Sequence, residues 1–147
     1  MPQTNANVNI WNLLHDTTIV SVSGDCPGDI TVKVEIGYLQ AALATESKFL
    51  LLYLQDCSTA VYRPFTSDGT VMHLNALSNC EFEILSAKSE HNHVSVCCTE
   101  GVISLVYEDI SCELDDGVSM SYVSLFKASQ HYWKSLLATR KSVIVEG

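Results

Sequence analysis

Basic residues are scarce in this chain: eight lysines and arginines stand against 17 aspartates and glutamates in 147 residues, for a formal net charge of −9. The scarcity is uneven. Residues 1–118 hold 16 acids and four bases, a net of −12, whereas residues 119–147 hold one acid and four bases, a net of +3. A body so charged repels phosphate at every approach, which argues against nucleic acid as a partner. There is no glycine-rich phosphate loop, no C-x-x-C pair and no G-x-S-x-G elbow, so the common nucleotide, redox, zinc-ribbon and serine-hydrolase sites lack their signatures. No cofactor is expected. Nowhere do about 18 apolar residues run together, and the densest run, FLLLYL (49–54), is the length of a strand. The chain is therefore expected not to span a membrane. The start, MPQTNANVN, has neither the basic nor the apolar region of a secretory leader. Six cysteines without paired spacing, in a chain large enough to fold without staples, read as reduced thiols, and the expected location is cytoplasmic.

What is present is apolar patterning, with 47% hydrophobic residues and a mean hydropathy of +0.16. This suits a single α+β domain over 1–147, with 1–9 as a flexible N-terminal tail. ITVKVEI (30–36) alternates cleanly, placing Ile30, Val32, Val34 and Ile36 on one face. TTIVSVSG (17–24) is its hairpin partner, joined through DCPGD, where Pro27 and Gly28 suit a type II turn. GYLQAAL (37–43) predicts a short helical turn, and FLLLYLQ (49–55) a central strand. In TAVYRPF, Pro64 marks an edge or a strand end. Asp68-Gly69 signals a hairpin into TVMHL, and FEILSAK (82–88) is a further strand. After VISLVY the alternation changes phase, which predicts a bulge or bend near Glu108-Asp109. Tyr122, Leu125, Phe126, Tyr132, Trp133, Leu136 and Leu137 recur at helical spacing and predict one long helix over about 119–139, capped by Ser119 or Ser121. SVIVEG at the end reads as a small strand or a tail. The expected fold is α+β: an antiparallel, twisted sheet or open sandwich of about seven to nine strands, with that C-terminal helix packed on it.

Three segments carry candidate chemistry. HNHVSVCCTE (91–100) collects His91, His93, Cys97 and Cys98. On a strand, His91 and His93 share a face roughly 6–7 Å apart, Cys97 lies about 13 Å beyond His93, and Cys98 points to the core with Val94 and Val96. His91 and His93 are thus weak metal candidates without further ligands, and no metal site is expected. With Glu100-Gly101 as the hairpin loop, His93 faces Glu108. WNLLHD (11–16) places His15 beside Asp16 just before a strand, as at the start of a catalytic pairing or a metal-binding dyad. Adjacent side chains on an extended chain point apart, however, and the preferred reading is that Trp11 and Leu14 pack while His15 or Asp16 bonds backbone. The acidic run EDISCELDD holds Glu108, Asp109, Glu113, Asp115 and Asp116. It reads either as a solvated face or as a docking surface for a basic protein partner. Asp25 and Asp29 are explained by turn chemistry, being too few for calcium. An exposed Tyr132/Trp133 patch would be a second partner surface, but packing of these rings is preferred.

WNLLHD, PGDITVKVEIGYL, and LDDG ahead of a helix containing YW together resemble small uncharacterised bacterial proteins that begin with a W-N-x-x-H-D segment. More loosely, they resemble the immunity-type proteins of polymorphic toxin systems. The resemblance implies a compact cytoplasmic α+β protein with no established activity. The expected function is a non-catalytic protein-interaction module with an acidic surface. The rivals are a small hydrolase or metal-dependent enzyme using His15/Asp16 or His91/His93, and a module binding a small ligand in a pocket between sheet and helix.

Overall fold

Alternating patterns dominate the chain, and strands dominate its structure. The structure, a computed structural model, describes residues 9–43, 46–65, 71–73, 81–90 and 93–146; side chains are described for all of these except 38, 41, 90 and 135–146. A helical turn over 9–13 (α1) leads into β1 (Thr18–Gly24) and β2 (Gly28–Glu35). Next come α2 (Tyr38–Ala42), β3 (Phe49–Cys57), β4 (Thr59–Pro64) and β5 (Met72–His73). Then follow β6 (Phe82–Glu90), β7 (His93–Cys98), β8 (Gly101–Val106), β9 (Asp109–Leu114), β10 (Ser119–Met120) and α3 (Tyr122–Glu146). The strands form one antiparallel sheet in the order β10-β9-β3-β2-β1-β6-β7-β8-β4-β5.

The sheet folds over on itself because two of its ribbons bend. β3 runs into β4 through Ser58, and β8 into β9 through Tyr107 and Glu108. The ladder between them continues across the bend, with the Ser58 amide donating to Val106 O (2.8 Å) and the Glu108 amide to Gln55 O (2.9 Å). One end of the ribbon pair thus lies in the half-sheet containing β2, the other in the half-sheet containing β7. The halves also meet where β1 pairs with the start of β6. Flat, β4 and β6 would stand three strand spacings apart, roughly 14 Å. Their Tyr62 and Phe82 rings instead lie 4.4 Å apart across the interior. The inward sets, Val32, Val34, Leu50, Leu52 and Leu54 with Ile84, Val96, Ile103 and Leu105, form one buried core.

Most sequence expectations on strands hold, including the short helix at 38–42, the end of β4 at Pro64 and the bend at Glu108. The antiparallel α+β class holds too, with ten strands where about seven to nine are expected. β5 and β10 are two residues each, too short to leave an alternating pattern. Ser119 belongs to β10, so the helix starts later, with the Ser124 amide donating to Ser121 Oγ at 3.1 Å as an N-cap. It also runs further, through 143–146, where a strand or tail is expected. The face of α3 that carries Leu125, Ser129 and Trp133 turns inward, while Phe126, expected in the apolar stripe, is 40% exposed. The turn after β1 departs from type II: the Cys26–Pro27 peptide is cis, and Gly24 and Gly28 flank it with φ of +108° and +146°. The predicted tail at 1–8, the Asp68-Gly69 hairpin and His91 lie outside the described residues; Asn9 opens α1.

Candidate functional site

WNLLHD becomes a latch between the two half-sheets and α3. Trp11 is buried, and its Nε1 donates to the Tyr107 hydroxyl at 3.0 Å, tying α1 to the bend. Burial, opposed in part by that bond, pushes the Tyr107 hydroxyl well above the usual phenol range. Asn12 acts as a one-residue strand: its Oδ1 accepts from the Ala87 amide (2.8 Å) and its Nδ2 donates to Ala87 O (3.0 Å). Those two backbone groups belong to the stretch of β6 that extends beyond its pairing with β1. Leu14 fills the core, and its carbonyl accepts from the Thr17 hydroxyl.

His15 and Asp16 do approach one another. Asp16 adopts φ +66°, so the chain is not extended there, and His15 Nε2 lies 4.0 Å from Asp16 Oδ2. The other ring nitrogen meets Asn12 O at 3.0 Å, and the ring stacks on Trp133 of α3, centroids 5.7 Å apart and planes at 16°. The histidine thus holds the helix against the latch. Tyr132 meets Trp133 edge-on at 5.2 Å, and both rings are half-buried rather than an open patch.

In β7 the faces divide as the alternation predicts: Val94, Val96 and Cys98 are buried, while His93, Ser95 and Cys97 are partly exposed. The register does not. Val96 pairs with Ile103 and Cys97 with Val102, so the loop is Thr99-Glu100 and every partner shifts by two residues from the expected alignment. On the other side of β7, His93 lies opposite Glu90 of β6, and its Nε2 meets Ser95 Oγ at 3.3 Å. Glu108 sits in the bend beside Gln55, so the expected His93–Glu108 pair does not form. Gly101 explains the slip. A Cβ there would lie 2.5 Å from Arg63 O and 2.6 Å from Tyr62 Cε1, so this glycine serves close strand packing instead of a turn. Ser95 and Cys97 line an outer groove of about 320 Å³ with Ser86, Ala87, Lys88 and Val102. Among the described residues no three histidines, cysteines or carboxylates are placed to hold a metal ion.

The acidic run is drawn out along β9, whose length separates its ends by roughly 17 Å. At one end Glu113 accepts a hydrogen bond from the Tyr53 hydroxyl, which, with burial and the carboxylate's charge, raises the Tyr53 pKa. Asp115 and Asp116 line a shallow cleft of about 350 Å³ with Glu46, Ser47, Lys48 and Phe49. At the other end Glu108 and Asp109 gain company that sequence order conceals. The β1–β2 turn brings Asp25, the start of β2 brings Asp29, and the end of β3 brings Asp56, whose amide donates to Asp29 Oδ1 at 3.0 Å. Gln55, next to Asp56, pairs with Asp109. All five carboxylates are exposed, and the segments that carry them, DCPGD, QDCS and YEDI, contain no lysine or arginine. They form a rim at the bend end of the molecule. The signal available in sequence was that all five sit in or beside expected turns and bends; which of these meet is a matter of topology.

No helix among the described residues is long and apolar enough to cross a membrane. No family model matches the chain, and neither a curated protein nor a solved structure matches it.

Proposed function

We propose that this protein is a non-catalytic, cytoplasmic interaction module, immunity-like in kind and bacterial in origin, whose acidic rim docks a basic protein partner. The observation that carries the reading is the convergence of Asp25, Asp29, Asp56, Glu108 and Asp109 from three separate segments at one end of the sheet, without a basic residue in any of them. Like charges brought together on segments that hold no lysine or arginine work against folding and favour an external cation-rich surface. Exposed carboxylates at ladder-held strand ends and the turns beside them give such a surface a fixed shape, which supports orientation as well as attraction. The body's net charge of −12 adds a long-range field of the same sign. The residues of the latch are engaged in holding α1, β6 and α3 together, which favours a structural part for His15 and Asp16 over a catalytic one.

The test uses a lysine-rich peptide as probe. Asp25→Asn, Asp56→Asn and Glu108→Gln combined should weaken binding by about tenfold or more, mostly through slower association, and raising ionic strength should weaken the wild type similarly. Asp115→Asn with Asp116→Asn, at the opposite end of β9, should change it little. Equal losses from both variants, or affinity indifferent to salt, would overturn the rim as the docking surface.

A further inference from the structure

Beneath the rim lie two thiols that the acidic-surface reading does not use. Cys26 stands in the β1–β2 turn and Cys57 at the end of β3, 31 positions along the chain. The strands that follow and precede them are neighbours, with Gly28 the register partner of Cys57. The Cys26 thiol donates to Cys57 O, 3.5 Å away, and the Cys57 thiol donates to Thr59 O at 3.2 Å, so the side chain of Cys26 reaches the backbone of Cys57 itself. Both are free thiols in the structure.

We propose that Cys26 and Cys57 are a peroxide-responsive dithiol that closes reversibly to a disulfide tying the β1–β2 turn to the β3–β4 bend. The roles follow from access. Cys26 is partly exposed, whereas Cys57 is fully buried. Burial and the neighbouring Cys26 push the Cys57 thiol up to about 11, so it rests protonated and does not initiate attack. The sulfur of Cys26, as thiolate, attacks one oxygen of hydrogen peroxide. The O–O bond breaks, hydroxide leaves and takes up a proton as water, and Cys26 becomes a sulfenic acid. The Cys57 sulfur then attacks that sulfur as its own proton departs; the S–S bond forms, the S–O bond breaks and a second water leaves. Two thiols and one peroxide give one disulfide and two waters, with two electrons passing from sulfur to oxygen. Closing to an S–S bond of about 2 Å requires the Cys26 sulfur to turn from the Cys57 carbonyl to the Cys57 sulfur, a movement that a turn supplies more readily than a strand. The other described cysteines lack this arrangement: Cys97 and Cys98 are adjacent on opposite faces of β7, and Cys112 is buried on β9.

The test treats the reduced full-length protein with hydrogen peroxide, alkylates the remaining thiols and maps the peptides by mass without reduction. A linked Cys26–Cys57 peptide pair lighter by two hydrogens, reverting with dithiothreitol, is the expected product. In Cys57→Ser the link should vanish and Cys26 should be trapped by dimedone as the sulfenic acid. Cys26→Ser, a change in a partly exposed turn that leaves the core intact, should abolish the link as well. Separate alkylation of both thiols after peroxide, or a link from Cys26 to any other cysteine, would overturn the proposal.

Discussion

Gly101 begins β8 under the ring of Tyr62, and the space that a side chain would need is already taken by that ring and by the Arg63 carbonyl. Relief requires backbone movement, because one of the two obstacles is main chain. Gly101→Ala is expected to cost about 1–3 kcal/mol through overpacking, measured as a lower urea midpoint with an unchanged slope. Asp16 makes the converse case: its φ of +66° is one that aspartate tolerates, and it brings the carboxylate towards His15. At this scale the sequence reading held for WNLLHD, where Trp11 and Leu14 pack and His15 bonds backbone, and misjudged the duty of Gly101. Glu100-Gly101 looks like a hairpin loop because glycine relaxes φ, but glycine also admits a neighbouring strand, and local sequence does not distinguish the two uses.

α1 is a single turn, too short to be stable alone, and it persists because each side chain is committed elsewhere. Trp11 reaches the bend, Asn12 completes the edge of β6, and His15 supports Trp133 on α3. Asn12→Ala removes both bonds to the Ala87 backbone at a solvent-accessible edge. It should cost about 1 kcal/mol and speed amide hydrogen exchange at Ala87, whereas exchange in the middle of β3 should slow or quicken only with global stability. Exchange at Ala87 equal to that of the wild type would contradict the clamp. Helix α3 illustrates what periodicity carries: its existence and its Leu125 face were legible, but its start was displaced by β10, which pairs with β9 through only two residues. The partner is the strand just before it in sequence, but a two-residue pairing is too short to leave an alternating pattern.

Over the whole molecule, burial has turned several weak acids into supports for the folded state. Cys57 and Cys112 are raised from 9.0 to about 11 and about 12, chiefly by desolvation, and the buried Tyr107 hydroxyl moves in the same direction. Folded values above the unfolded ones mean that these groups stabilise fully below about pH 9 and lose that contribution as pH rises through the folded values. Stability should therefore hold a plateau up to about pH 9 and fall steeply between there and about pH 12, with Cys112 alone accounting for about 4 kcal/mol. Cys112→Ala should lower the plateau through the lost packing while making the alkaline fall shallower, as read from denaturation midpoints across pH. An alkaline limb as steep as that of the wild type would count against burial of the thiol as its cause.

Alternation by itself determined the longer strands and their inward faces, because a period of two fixes which side chains avoid water whatever the strands pair with. It determined that Val94, Val96 and Cys98 are core, and that Cys97 stands four positions along the outer face from His93, out of its reach. Register was decided only in three dimensions, since the fit of Gly101 beneath Tyr62 outweighs the local preference for a glycine turn. So was the candidate site. Carboxylates at positions 25, 29, 56, 108 and 109 lie scattered in the sequence, and the folding of one ribbon pair across two half-sheets sets them on a single rim above a pair of thiols.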